Sequence, residues 1–417
     1  MSRELPIDVR FPRVAGVERH FRKKTATEIR RGTTMTSLSR LLSAAGAAAM
    51  LLAAPATAET LRFGYGHPPG SFLDQGANAM AKALGEFSGG SLEMQTYPLS
   101  LVSLAETSDG LETGLVDVGA LMTTMFPAEY PHTNLAMEAS MMLQLEEGIA
   151  AEKQGVLYAA AMNEFVLTKC PECIAEFAAK NSVFTSSMGS TPYELSCREP
   201  VTTLEDIKGA RIRISGGYWS RWSSAVGANP VTISGNEMLE ALSQGVVDCI
   251  ALSVPDVFNF GMGDLVSDIT LGVPGGLYIP SYTQINRNTW QGLNVDQREA
   301  FMRAAAVGAS EISMMYENGM REKIRQSEAG EIPITFHQAS EDLLEASREF
   351  VRGDLDTVVA SFAQNHGVTR GAEMVADLNT LVTKWRGLVR NVETPGELAD
   401  LYWSEIFSKM DLNSYGQ

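Results

Sequence analysis

The sequence predicts a protein of two similar α/β lobes, and two observations carry that prediction. The first is the stretch Lys208–Ser253, which runs KGARIRIS, GGYWSRW, VGANPVTI, SGNEMLEALSQGVVDCIALS. Its apolar periods give a strand at Arg211–Ser215, a helix through the tryptophans and a strand at Asn229–Ile233. A helix from Ser234 then ends at Gly245, and a strand follows at Val246–Leu252. Short strands alternating with helices build a mostly parallel sheet, with ligands at the carboxyl ends of the strands. The second is an internal repeat: Ser103–Met122 aligns without a gap on Ser234–Ser253. Both segments open with serine and glutamate at capping-box spacing, Ser103/Glu106 and Ser234/Glu237. Both close at a glycine suited to a left-handed cap, Gly114 and Gly245, and both enter a strand through Val-Asp, Val116-Asp117 and Val247-Asp248. One helix–strand unit used twice points to two lobes rather than one large sheet.

In chain order, the first 58 residues read as a leader rather than as fold. Met35 opens a segment with Arg40, an apolar run Leu41–Ala54, a break at Pro55 and Ala56-Thr57-Ala58, the pattern of a secretory signal cleaved after Ala58. The run is too short to span a bilayer comfortably. Residues 1–34 are basic and patternless, as expected of a start codon placed too early; Arg30-Arg31 precede the run without the rest of a twin-arginine signal. The leader holds ten basic and four acidic residues, so the mature chain keeps 23 Lys and Arg against 46 Asp and Glu, a net −23 where the whole chain carries −17. That balance argues against nucleic acid and anionic membrane surfaces as partners.

The mature chain opens with a strand at Leu61–Gly66, a helix at about Leu73–Phe87 and a strand at Leu92–Pro98. A loop follows the first repeat through TTMFPAEYPHTNLAM, and helices are expected at about Glu146–Met162 and Glu172–Lys180. Val183–Val201 reads as an extended, hinge-like passage, and Gly275–Trp290 as a strand returning to the first lobe. One amphipathic helix runs from Asp296 to about Glu328, a last strand covers Glu331–Phe336, and the chain from Glu341 is helical, with Trp385 and Trp403 packing across the back of both lobes. The boundaries that follow are 59–190 for the first part of lobe I, 191–276 for lobe II, 277–340 for the return to lobe I and the spanning helix, and 341–417 for the C-terminal helices.

Arg213 stands out among the polar residues. It alternates with Ile212 and Ile214 near a strand end and precedes Gly216-Gly217, a placement suited to holding a carboxylate bidentately. A strand arginine is more often one half of a structural ion pair. Tyr218, Trp219 and Trp222 follow closely and could stack on a ligand; Trp222 reads as core, and Trp219 as core or ligand contact equally. His67, at the end of the first strand, serves either the cleft or the turn beside Pro68-Pro69. Cys170, Cys173, Cys197 and Cys249 form an even set in an exported chain, which favours disulfides; of three connectivities, Cys170–Cys173 with Cys197–Cys249 is preferred over a redox CPEC or a zinc site. No cofactor or metal is expected.

An exported α/β chain with K-G-x-R-I-R, G-A-N-P-V and E-x-x-x-A-L-x-x-G-V-V-D resembles the solute-binding subunit of tripartite ATP-independent periplasmic (TRAP) transporters, the DctP-like dicarboxylate-receptor family. SGGSLEMQTYP and GLETGLVDVG agree, and the resemblance covers roughly Leu61 to Phe336. It implies a periplasmic binding protein fold whose lobes, hinged by crossing strands and a long C-terminal helix spanning both, close over a small organic acid. It implies delivery to membrane permease subunits by a receptor that does not itself span the membrane. The family's carboxylate-clamping arginine falls on Arg213. Two departures matter: Val247–Ser253 replaces V-D-G-Q-E-N-P, and Ser190–Tyr193 lacks the second arginine of some members. The cleft therefore reads as less cationic and more apolar than a dicarboxylate site. The ligand-binding set is Arg213, Trp219, Tyr218, Tyr193, His67 and Ser253.

Two other functions compete. A ligand sensor feeding a membrane signalling protein would use the same fold. An exported enzyme would need a nucleophile elbow, H-E-x-x-H, or paired carboxylates with a histidine, and none is present.

Overall fold

The computed structural model describes residues 58–146 and 148–417. The expected leader lies outside them apart from Ala58. The chain order is β1 (Glu59–Tyr65), α1 (Phe72–Phe87), β2 (Leu92–Pro98), α2 (Thr107–Thr113), β3 (Val118–Leu121), α3 (Pro131–Glu138), α4 (Gln154–Thr168), α5 (Pro171–Ala179), β4 (Ser182–Ser187) and β5 (Pro192–Cys197). There follow β6 (Arg211–Ile214), α6 (Gly217–Ala225), β7 (Asn229–Thr232), α7 (Met238–Ser243), β8 (Cys249–Ser253), α8 (Val254–Asn259), β9 (Asp268–Leu277) and β10 (Ser281–Asn286). The chain closes with α9 (Arg287–Gly292), α10 (Val295–Glu328), β11 (Thr335–Gln338), α11 (Glu341–His366), α12 (Gly371–Val389) and α13 (Pro395–Glu405).

Two sheets define the two lobes. The first has the order β2-β1-β3-β10-β4 and the second β11-β9-β5-β8-β6-β7. The repeated units are parallel in both: β1 runs with β2 and β3, and β6 with β7 and β8. The strands that bring the chain into a lobe from the other are antiparallel to their neighbours, β10 to β3 and β4, and β5 to β8 and β9. Each sheet is therefore mixed, because the strand that re-enters a lobe from the other runs opposite to the βα units, while β4 and β9, which leave, run with them.

The repeat is deeper than its capping signals. Asp117 accepts from the Arg62 backbone N–H at 2.9 Å and from Nε at 2.8 Å, while Asp248 accepts from Arg211 N–H at 2.9 Å and from Nε at 3.0 Å. In each lobe the aspartate before one strand clamps an arginine on its parallel neighbour. Gly114 and Gly245 cap their helices with φ of 75° and 69°, left-handed as the spacing requires. The capping boxes are incomplete. Glu106 accepts from the Ser103 N–H at 2.9 Å, but α7 starts at Met238 rather than Ser234, because 234–237 is a turn that sends Asn236 to the opposite lobe.

Other differences have local reasons. The segment expected as a loop contains α3, begun by Pro131 at its first turn; Thr133 to Glu138 are all buried, so no amphipathic stripe marks the helix. The last strand, placed in the return to lobe I, instead lies at Thr335–Gln338 and pairs parallel to β9 in the second sheet. The 34-residue α10 carries the chain back there; its Asn294/Gln297 capping box starts it where the periodicity places it. Trp385 is buried on α4, donating to Glu164 Oε2 at 2.7 Å, whereas Trp403 lies under the Arg303 guanidinium of α10 at 3.7 Å. Disulfides join Cys170 to Cys173 and Cys197 to Cys249, the latter pair facing each other across β5 and β8. Among the described residues, no helix is long and apolar enough to cross a membrane.

The crossings lie side by side. Ser190 N–H donates to Tyr278 O at 3.0 Å, and Tyr278 N–H donates to Ser190 Oγ at 3.1 Å. The start of α4 packs against them so closely that a Cβ on Gly155 would lie 1.9 Å from Ser190 O, and one on Gly189 would lie 2.2 Å from Gly155 O. Backbone atoms on both sides cannot yield as a flexible side chain would. Gly155→Ala and Gly189→Ala should each lower stability by about 1–3 kcal/mol or prevent folding, measured by denaturant titration; a variant as stable as wild type would show that the crossings can separate.

Candidate functional site

A narrow cavity lies where the carboxyl ends of the parallel strands of both sheets meet. Lobe I supplies His67, Leu104 and Met122; Tyr278 comes from the crossing segment after β9. Lobe II supplies Tyr193 of β5, Arg213 of β6 and Asp256 of α8, with Met238, Leu252 and Phe260 as apolar wall. The lobes are latched over it: Asn236 donates to Gly66 O at 2.8 Å and accepts from Leu104 N–H at 3.4 Å, and Asn259 accepts from Phe72 N–H at 3.4 Å.

Arg213 is 2% exposed, although Arg211, two residues earlier on the same strand, is nearly half exposed and paired with Asp248. The difference follows from position: Arg211 stands at the outer start of β6 and Arg213 near its inner end. Arg213 Nε donates to Ile233 O at 2.9 Å, while Nη1 is buried without a partner among the described residues. Burial lowers its pKa, yet a guanidinium keeps its charge. A buried cation with unused donors is costly unless an anion completes it. Among the described residues lining the cavity it is the one cation.

His67 is also buried, with Nδ1 unpartnered and its ring 5.7 Å from that of Phe260. Tyr193 packs face to face on Trp219, with centroids 4.4 Å apart. The remaining predicted residues are placed differently. Trp219 does not line the cavity: its Nε1 donates to Gly275 O at 2.8 Å, and it supports Tyr193 from behind. Tyr218 is turned away as well, donating to Pro274 O at 2.6 Å. Both are buried against β9, which sequence spacing could not reveal. Ser253 sits behind the cavity wall and donates to Asp256 Oδ2 at 2.7 Å.

Asp256 and Tyr278 were missed. Tyr278 falls inside Gly275–Trp290, read as the strand returning to lobe I, where nothing local marks it as facing a cleft, and Asp256 lies three residues beyond the repeat. The signal for Asp256 was available: Val-Pro-Asp opens a helix directly after a strand end, the position from which an acid faces a cleft. Its carboxyl is pushed up by burial, opposed by hydrogen bonds from Asn259, Tyr316 and Ser253. No group of three or more His, Cys, Asp or Glu among the described residues is arranged to hold a metal ion.

Burial lowers the His67 pKa to about 4, against about 6.5 in an unfolded chain. On acidification the unfolded chain takes up this proton first. The native state therefore loses stability as pH falls from about 6.5 to about 4 and keeps it in full above that window. Thermal melts at about pH 7.5 and about pH 4.5 should show His67→Asn losing less on acidification than wild type. Equal losses would mean that burial does not hold His67 neutral.

Residues 63–361 match the family described as bacterial extracellular solute-binding protein, family 7 (DctP). The C4-dicarboxylate-binding periplasmic protein DctP of Rhodobacter capsulatus is 23% identical over 283 residues, 67% of this chain and 79% of that protein. A solute-binding protein of Chromohalobacter salexigens is 24% identical over 146 residues, 34% of this chain and 43% of its own length. Among solved structures, a marine-metagenome TRAP solute-binding protein specific for pyroglutamate superposes with a TM-score of 0.63 at 19% identity, covering 78% of this chain and 99% of that one. A TRAP periplasmic solute-binding protein from Bordetella bronchiseptica with bound mandelate gives 0.62 at 20% identity, covering 78% and 99%. With its two-sheet architecture and a match over most of its length, this chain belongs to the DctP-type solute-binding proteins of TRAP transporters.

Proposed function

We propose that the protein is a periplasmic receptor that binds one small organic carboxylate between its lobes, leaves it chemically unchanged, and hands it to the membrane permease subunits of a TRAP transporter. The observation that carries this reading is Arg213, a buried guanidinium that has an unpartnered Nη1 and lines a narrow interlobe cavity. A ligand carboxylate would complete its hydrogen bonding, and closure of the latched lobes around the pair would keep water out. The relatives support the class of ligand, since their names record a C4-dicarboxylate, pyroglutamate and mandelate. Tyr193 and His67 line the same space, while Trp219, Tyr218 and Ser253 hold its walls. The reading also takes the chain as exported and cleaved after Ala58.

A thermal-shift screen of organic acids identifies a ligand, since saturation at a hundred times Kd adds about 2.7 kcal/mol of stability. Calorimetry with that acid then tests the clamp. Removing one partner of a buried charge pair costs about 2–5 kcal/mol, so Arg213→Ala should weaken binding by roughly thirty- to several thousand-fold. Arg213→Lys should recover part of this, because an ammonium lacks the planar fork. Arg211→Ala, which breaks only the outer pair with Asp248, should leave affinity nearly unchanged. Binding by Arg213→Ala within about threefold of wild type would make the arginine structural and overturn the reading.

A further inference from the structure

A second buried charge shares the cavity with Arg213. Asp256 is 3% exposed, and its carboxylate is held from three sides by neutral donors: Tyr316 Oη at 2.7 Å and Asn259 Nδ2 at 2.9 Å on Oδ1, and Ser253 Oγ at 2.7 Å on Oδ2. A carboxylate has about four acceptor positions, so Oδ2, with one donor, keeps capacity for another. Pairing Asp256 directly with Arg213 would satisfy both charges, yet Arg213 gives its Nε to a backbone carbonyl and leaves Nη1 unpartnered. The cavity thus keeps one cation and one anion apart, each with a hydrogen-bonding position to spare. The rest of its wall brings no further cation: Leu104, Met122, Met238, Leu252 and Phe260 are apolar, Tyr193 and Tyr278 bring neutral phenols, and His67 has no carboxylate partner to hold it charged. A second ligand carboxylate in this space would be buried without a cation and close to Asp256, which is expensive on both counts.

We propose that Asp256 determines specificity by accepting a hydrogen bond from the ligand, so that the ligand is a compact monocarboxylic acid bearing an O–H or N–H donor near its carboxylate, and dicarboxylates are refused. This rests on the reading of Arg213 as the carboxylate clamp and adds the other half of the ligand. Asp256 acts by direct contact, and Ser253, Asn259 and Tyr316 are positioning residues that aim it. A donor offered to a charged acceptor in a closed site separates matched acids by roughly tenfold to a hundredfold.

The test is calorimetric titration of the mature protein with matched pairs that differ in the donor alone: lactate against propionate, mandelate against phenylacetate, and pyroglutamate against 3-oxocyclopentanecarboxylate, with succinate as the dicarboxylate. At least one donor-bearing acid should bind about tenfold or more tighter than its partner, and succinate should bind weakly. In Asp256→Asn that preference should shrink to within about threefold and succinate should gain about tenfold or more, because the repelling charge is gone. The ratio within a pair is insensitive to the variant's overall stability, and the wild-type ratios stand even if the variant does not fold. Equal binding within every pair, no binding by any donor-bearing acid, succinate as the tightest ligand, or an unchanged ratio in Asp256→Asn would each overturn the assignment. The arms with Arg213→Ala separate the two readings: loss of binding there with no effect of Asp256 removes this inference alone, whereas unchanged binding by Arg213→Ala removes the carboxylate clamp beneath it.

Discussion

The contact between the two crossing segments is the constraint on which the rest of the structure depends. Ser190 and Tyr278 exchange hydrogen bonds through backbone and hydroxyl, and Gly189 N–H donates to Ser313 Oγ of α10 at 3.1 Å. All three passages between lobes, two extended and one helical, therefore meet in one place. Two glycines facing each other across that place let the backbones approach to a distance that any side chain would forbid. A junction built this way is stiff against separation of the crossing segments. Tyr278 belongs both to this junction and to the cavity wall, so the two are in direct contact.

Each lobe is stabilised by the same device, an aspartate that binds the backbone and guanidinium of an arginine on the neighbouring parallel strand. These pairs are partly exposed, which makes them weak contributors to stability but good markers of register. Aligning the lobes on Arg62 and Arg211 places Gly64 opposite Arg213. In lobe I a Cβ at Gly64 would lie 2.5 Å from Val116 Cγ1, so the position is filled by packing. In lobe II the same position projects a buried cation into the cleft. The two lobes share an architecture, and the site arises where that symmetry is broken.

Around the cleft, polar side chains do two separate jobs. Asn236 spends its amide, and Asn259 its Oδ1, on the backbone of the opposite lobe, which gives directional contacts between lobes without placing new charge in the cavity. Tyr218 and Trp219 spend their donors on the carbonyls of Pro274 and Gly275 and so fix β9 behind the binding wall. Arg221, anchored to Asp354 at 2.7 Å and to Glu138 at 2.9 Å, ties α6 of lobe II to helices α11 and α3. Three groups with unused hydrogen-bonding capacity belong to residues that line the cavity: Arg213 Nη1, His67 Nδ1 and one side of Asp256.

Much of this was written locally and could be read from the sequence. The repeat, its glycine caps, the extent of α1 and β2, and the whole of α10 follow from periods and caps spanning a few residues, because helix and strand formation depend on neighbours within a turn or a pleat. Arg213 was legible for the same reason, as a polar residue at the end of an apolar strand before two glycines. Tertiary structure alone decided the rest. Whether Tyr218 and Trp219 face a ligand or β9 depends on where β9 passes, some 55 residues later in the chain. The strand at Thr335–Gln338 pairs with β9 rather than with lobe I because α10 is long enough to carry the chain back across. Asp256 becomes a site residue only when β6, β8 and α8 converge with the end of β1. Local sequence sets which element forms; long-range packing sets which side chains line the cavity and which of those, such as Arg213 and His67, are left without a partner there.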